Sequence, residues 1–97
     1  MNDTDLASSL LLETAQIPWR ELQRFFASGN AVAVDDSLDL IHVATKISKD
    51  DALQVKAWMD AGLVDAVRDS QAQIWYEQDA LLWALVIKPW VLVQDKK

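Results

Sequence analysis

The sequence contains no cysteine, and its 97 residues include only two glycines, two prolines and a single histidine. Without cysteine there is no disulfide framework, no thiolate nucleophile and no cysteine-ligated zinc or iron–sulfur centre, which suits a reducing cytoplasm. Glycines at positions 29 and 62 alone exclude the phosphate-cradling patterns G-x-x-x-x-G-K and G-x-G-x-x-G and the nucleophile elbow G-x-S-x-G. No apolar run reaches the roughly 18 residues a membrane span needs. The opening Met1-Asn2-Asp3-Thr4-Asp5 is acidic where a secretory signal is basic, so the expected location is cytoplasmic, away from membranes. Basic residues are also scarce: nine Lys and Arg face fifteen Asp and Glu, a net charge of −6. That balance repels phosphate backbones and makes nucleic acid an unexpected partner.

What is present is apolar mass. Apolar residues make up 52% of the chain, including five Trp, two Phe and one Tyr. A chain this short folds as one domain, 1–97, and needs a core dense in large side chains. The acids are largely Asp, a weak helix former that prefers caps and turns, so many of them read as punctuation.

The periodicity predicts a first helix after Asp3-Thr4-Asp5, carrying Leu6, Leu10 and Leu11. A second starts at Pro18, carries Trp19, Leu22, Phe25 and Phe26, and closes at Gly29. Ala31 to Val34 reads as a strand, and Asp35-Asp36-Ser37 ends it and feeds a helix with Leu40, Val43, Ala44 and Ile47 on one face. Ser48 and Asp51 have the spacing of a capping box. The next helix carries Ala52, Val55, Trp58 and Met59 on one side and closes at Gly62, with a short strand at Val64 to Val67. Gln71 to Asp79 is open between a helical turn or two and an ordered loop. Residues 79–87 are open between strand and buried helix, with β-branching favouring strand, and Trp90 to Val93 reads as a further strand, with Pro89 forcing a bend or an edge position. An echo at an offset of 33 residues, Phe25 to Ser37 against Trp58 to Ser70, reads as reuse of one helix, Gly cap, strand and Asp-Ser device.

The expected fold is α+β, with helices packed on a small antiparallel sheet in a winged-helix-like order. In that order the helix from Lys49 to Ala61 takes the recognition position, and its acids, Asp50, Asp51 and Asp60, oppose a DNA groove.

Three strings, W-x-x-L-x-x-F-F-A-x-G at Trp19 to Gly29, L-D-L at Leu38 to Leu40 and P-W-V-L-V-Q at Pro89 to Gln94, together resemble a family of short, uncharacterised bacterial proteins, a domain of unknown function. The resemblance covers nearly the whole chain and implies a bacterial, cytoplasmic protein. It carries over no catalytic residue, and the matching positions are mainly apolar.

Two chemical readings compete with structural ones. Asp39 and His42 stand at i and i+3 beside Asp35 and Asp36, a spacing metal sites use, but one histidine leaves the ligand set short and a helix start explains the acids. His42 with Ser37, Ser48 or Ser70 is the only acid–base set on offer, and each serine has a capping position. No catalytic, cofactor-binding or metal-ligating residue is therefore assigned, and the balance is against an enzyme. The aromatic residues of the polar segment and the bend, Trp75, Tyr76 and Trp90, form the candidate interaction surface, since tryptophan is enriched at interface hot spots. The function this supports is a non-catalytic protein-interaction or structural module whose partner is another protein or a second copy. A winged-helix-type regulator with weak or no direct DNA binding is the alternative, and a small-molecule or metal-binding enzyme the third reading.

Overall fold

The computed structural model describes residues 3–95, so Met1 and Asn2 of the acidic opening lie outside it. The elements run α1 (Asp3–Glu13), β1 (Ala15–Pro18), α2 (Trp19–Ala27), β2 (Ala31–Val34), α3 (Leu40–Ser48), α4 (Ala52–Asp60), β3 (Val64–Ala66), α5 (Asp69–Glu77), β4 (Leu81–Ile87) and β5 (Trp90–Gln94). The class is α+β, and the open segments resolve as helix α5 and strand β4.

Four helices end by one device. Gly29 (φ 82°), Asp50 (φ 59°), Gly62 (φ 76°) and Asp79 (φ 51°) all adopt the left-handed conformation just past α2, α3, α4 and α5. The Gly29 N–H donates to the Phe26 carbonyl and the Asn30 N–H to that of Phe25, and Asp79 and Ala80 repeat the pair onto Tyr76 and Trp75. Asp is among the few residues besides glycine that visit this region routinely. The 33-residue echo is thus the two glycine-bearing copies of a fourfold cap.

Helix starts depart by a few residues from the expected ones. The Asp39 carboxylate accepts the Ile41 N–H at 2.9 Å and caps α3, while Asp35 closes a turn by accepting the Ser37 N–H at 2.9 Å. Ser48 ends α3, and Asp51 itself caps α4 by accepting the Gln54 N–H at 3.2 Å. The expected capping box is therefore replaced by a single Asp cap.

The sheet has the order β1-β4-β5-β2-β3 and is mixed: β2 runs parallel to β5, and the other pairings are antiparallel. This corrects the expected small antiparallel sheet. The winged-helix-like order is not reproduced either, because β1 precedes α2, α5 separates β3 from the β4–β5 hairpin, and β2 lies between β3 and β5. Trp90 to Val93 is not an edge. It belongs to β5, flanked by β4 and β2, and Val91, Leu92 and Val93, which alternate between its two faces, are all covered, while Trp90 at its start stays exposed.

The edge proline is Pro18 instead. Alternation of the ladder, fixed by the Trp19 N–H donating to the Ala80 carbonyl, turns the backbone groups of Gln16 and Pro18 away from β4, and Pro18 has no N–H to leave unpaired. Pro89 sits in the β4–β5 hairpin turn, after a cis Lys88–Pro89 bond.

Period-two alternation along β2, β4 and β5 builds two cores on opposite faces of the sheet. On one face α2 and α5 pack Trp19, Leu22, Ala72 and Trp75 against Ala31, Leu82, Ala84, Val91 and Val93. The Trp19 ring lies 5.1 Å from Trp75 and 5.7 Å from Phe26. On the other face α1, α3 and α4 pack Leu10, Leu40, Val43, Ala44 and Trp58 against Val34, Val64, Leu85 and Leu92.

Candidate functional site

Helix α4 carries Ala52, Val55, Trp58 and Met59 along one side, the spacing of a buried stripe. The structure buries only Trp58, which packs edge-on to His42 with ring centroids 5.7 Å apart. Its neighbours on that side stay uncovered, Val55 in part and Ala52 and Met59 largely. Met59 is 53% exposed, and Ala52, Val55 and Met59 form one wall of an open apolar groove of about 430 Å³.

The opposite wall and floor come from the sheet. Register places Val32 opposite Ala66 and Leu92, so Val32, Val64, Ala66 and Trp90 point to the same face by alternation. All four line the groove, together with Ile47 at the end of α3. Trp90, 41% exposed, stands at its rim. The volume falls in the range of about 300–1,000 Å³ usual for ligand pockets, and the lining is apolar as such pockets require.

The polar groups around the groove have structural duties. Asp51 caps α4 and pairs with Lys46 at 3.7 Å. Asp65 accepts the Ala66 N–H at 2.8 Å and meets Arg68 at 3.5 Å. The Lys56 ammonium is held by Asp60 at 3.0 Å. None of these pairs brings a nucleophile, a base and an electrophilic donor to one point, which is what covalent or acid–base chemistry needs.

The sequence-predicted residues scatter. Trp75 is 4% exposed and sits in the core against Trp19, so its placement on an interaction surface is corrected: α5 turns it inward, and Tyr76 outward. The Tyr76 ring lies 4.7 Å beneath the Arg20 guanidinium, whose Nη2 donates to the Tyr76 carbonyl at 3.2 Å, on the α2–α5 side of the sheet. Trp90 alone reaches the groove. Asp39 and His42 do not converge on a shared point either, since the Asp39 carboxylate is spent on the Ile41 and His42 N–H groups. Among the described residues no three His, Asp or Glu side chains gather as a metal would need. Asp35 is held below the ordinary carboxylate range by the Ser37 backbone N–H, with the Ser37 and Asp36 side chains adding to the shift. Ser48 lies at the end of α3 and Ser70 within the first turn of α5, behind Arg68 at the cap position.

Sequence reasoning put Val55 and Met59 on one side of α4 with Trp58 and did not single them out as site residues. A signal was present: Leu53, Val55, Ala57 and Met59 give α4 apolar residues on more sides than one buried stripe can use.

A small α+β domain with a two-sided mixed sheet and an open apolar groove is the class these features define. The chain belongs to the family of proteins of unknown function DUF2288, whose model matches residues 5–95. It is similar to PA1075 from Pseudomonas aeruginosa, known from an NMR solution structure: identity is 43%, the TM-score 0.84, and the match covers 96% of this chain and 86% of that one. No curated protein matches the chain.

Proposed function

We propose that the chain is a non-catalytic interaction module of the bacterial cytoplasm, and that it receives an apolar group of a protein partner in the groove between α4 and the sheet. The observation that carries this reading is the exposure of Met59 and Trp90, with the half-buried Val55 between them and the sheet, around one hollow, when the same helix sends Trp58 into the core. Exposed apolar surface gathered in a concavity is the usual mark of a binding site, whereas singly scattered apolar residues need no explanation. The acids at the start of α4, Asp50 and Asp51, weigh against a nucleic-acid partner, as does the net charge of −6. No helix among the described residues is long and apolar enough to cross a membrane.

Capture from a bacterial extract tests the reading with three baits: wild type, Met59→Lys in the groove and Leu53→Lys on the outer side of α4. A protein retained by wild type and Leu53→Lys but lost from Met59→Lys is the expected result. Equal recovery on all three baits would refute the groove as the binding surface.

A further inference from the structure

Two features of the groove restrict what seats in it. The first is the strand beside it. In the β2–β3 ladder the Asp35 N–H donates to the Leu63 carbonyl and the Val67 N–H to the Ala31 carbonyl, so the outward-facing backbone groups of β3 belong to Val64 and Ala66. The Ala66 N–H is already donated to the Asp65 carboxylate at 2.8 Å. An extended peptide adding to this edge would meet a three-residue strand with one of its two outward donors spent, which leaves only the Val64 N–H and two carbonyls for the main-chain pairing that strand addition lives on. The wall opposite offers a different surface. Ala52, Val55 and Met59 stand at i, i+3 and i+7 on α4, a seam of the kind another helix packs against.

The second feature is charge. The groove is lined by three carboxylates, Asp50, Asp51 and Asp65, and by one ammonium, Lys56, itself held by Asp60 at 3.0 Å. The pairs made by Asp51 and Asp65, at 3.7 and 3.5 Å, involve partly or largely exposed side chains and cost little to exchange for a partner's cation. The apolar floor and acidic rim together select for an apolar stripe flanked by positive charge.

We infer that the segment seated in the groove is a basic amphipathic helix of a partner protein, with its apolar stripe on Val55, Met59 and Trp90 and its lysines or arginines beside Asp50, Asp51 and Asp65. This rests on the groove reading above and adds the partner's conformation and charge to it. Burial of the stripe supplies affinity, and the acidic rim supplies selectivity and speed of encounter.

The test uses the ¹⁵N-labelled full chain and three synthetic peptides of about 15 residues, long enough to form a helix on binding. One has leucines in a helical stripe with lysines elsewhere, one has the same stripe with glutamates, and one has the lysines with serines in place of leucines. The leucine–lysine peptide is expected to move the amide signals of Val55, Met59, Val64 and Ala66 and the indole N–H of Trp90. It should bind about tenfold or more tighter than the leucine–glutamate peptide at low salt, with the gap narrowing as salt is raised. The lysine–serine peptide should leave those signals in place, and Met59→Lys should abolish the shifts while the rest of its spectrum keeps the folded pattern. Equal binding of both leucine peptides in the groove would overturn the basic-partner inference and leave the groove reading standing. Failure of both leucine peptides to move the groove signals, or shifts centred instead on Leu81 and Trp83, the exposed apolar side chains of β4, would overturn the two together.

Discussion

Gln94 shows how one residue type, unexpected where it stands, organises its surroundings. It ends an apolar strand, is buried, and donates from Nε2 to the Asp35 carbonyl at 2.9 Å and to the Leu38 carbonyl at 2.8 Å. Both carbonyls belong to the loop that carries the chain from β2 to the Asp39 cap, so the last residue of P-W-V-L-V-Q fixes where α3 begins. Gln94→Leu keeps the volume and removes both donations, leaving two acceptors short of partners. A loss of about 1–3 kcal/mol in unfolding free energy is expected, read as a lower urea midpoint with an unchanged slope. A loss under about 0.5 kcal/mol would mean that water satisfies the loop once the amide is gone.

At the scale of elements, the β4–β5 hairpin is the spine of the sheet, and its two strands differ in cover along their length. Val86 and Val91 are cross-strand partners on the same face, yet Val86 is 51% exposed and Val91 3%. The helices α2 and α5 reach Val91 and stop short of Val86. Lysine at position 91 must bury an ammonium among Trp19, Leu22 and Val93, whereas lysine at 86 keeps its charge in water. Val91→Lys is expected to cost at least about 3 kcal/mol or prevent folding, and Val86→Lys to change stability by no more than about 0.5 kcal/mol, as followed by circular dichroism during thermal melting. Similar losses at the two sites would show that the exposed end of the hairpin is covered in solution. Because β5 is flanked on both sides, self-pairing through Trp90 to Val93 has no open edge to use. The edges that exist are short and obstructed, β1 by Pro18 and β3 by Asp65.

Over the whole molecule the net charge of −6 acts as a diffuse self-repulsion, and the ion pairs set against it are exposed, as in Arg20–Asp79 at 3.7 Å and Lys56–Asp60 at 3.0 Å. Salt screens both, but a net excess of one sign outweighs a few surface pairs worth little each. Raising ionic strength from low salt to about 0.2 M at pH 7 is therefore expected to stabilise the fold by up to about 0.5 kcal/mol, a rise of a few degrees in the melting midpoint. A fall would mean that the ion pairs carry more of the stability than their exposure suggests.

What the sequence by itself determined lies in local rules. Helical spacing placed α1 to α4, Gly29 and Gly62 marked two caps because the left-handed conformation costs glycine nothing, and apolar runs marked β2 and β5 and favoured, without deciding, a strand at β4. The same rules missed the caps at Asp50 and Asp79, where a residue that also starts helices ends them. The partner of each strand was decided only by the tertiary structure, because pairing joins residues far apart in sequence: Ala31 meets Val91 in a parallel ladder that no local pattern encodes. That pairing moved β5 from the edge to the middle, so that of the two places open to Pro89 the bend is the one it takes. The candidate site followed the same division. Apolar spacing could say that α4 has an apolar side, but whether Trp58, Val55 and Met59 are covered depends on where α3 ends and how far the sheet extends beneath them. Likewise Trp75 and Tyr76 are neighbours in a polar stretch, and only the docking of α5 on α2 sends one ring against Trp19 and leaves the other under Arg20. Local chemistry chooses the elements; which faces remain open is set by packing between elements that the chain brings together over long separations.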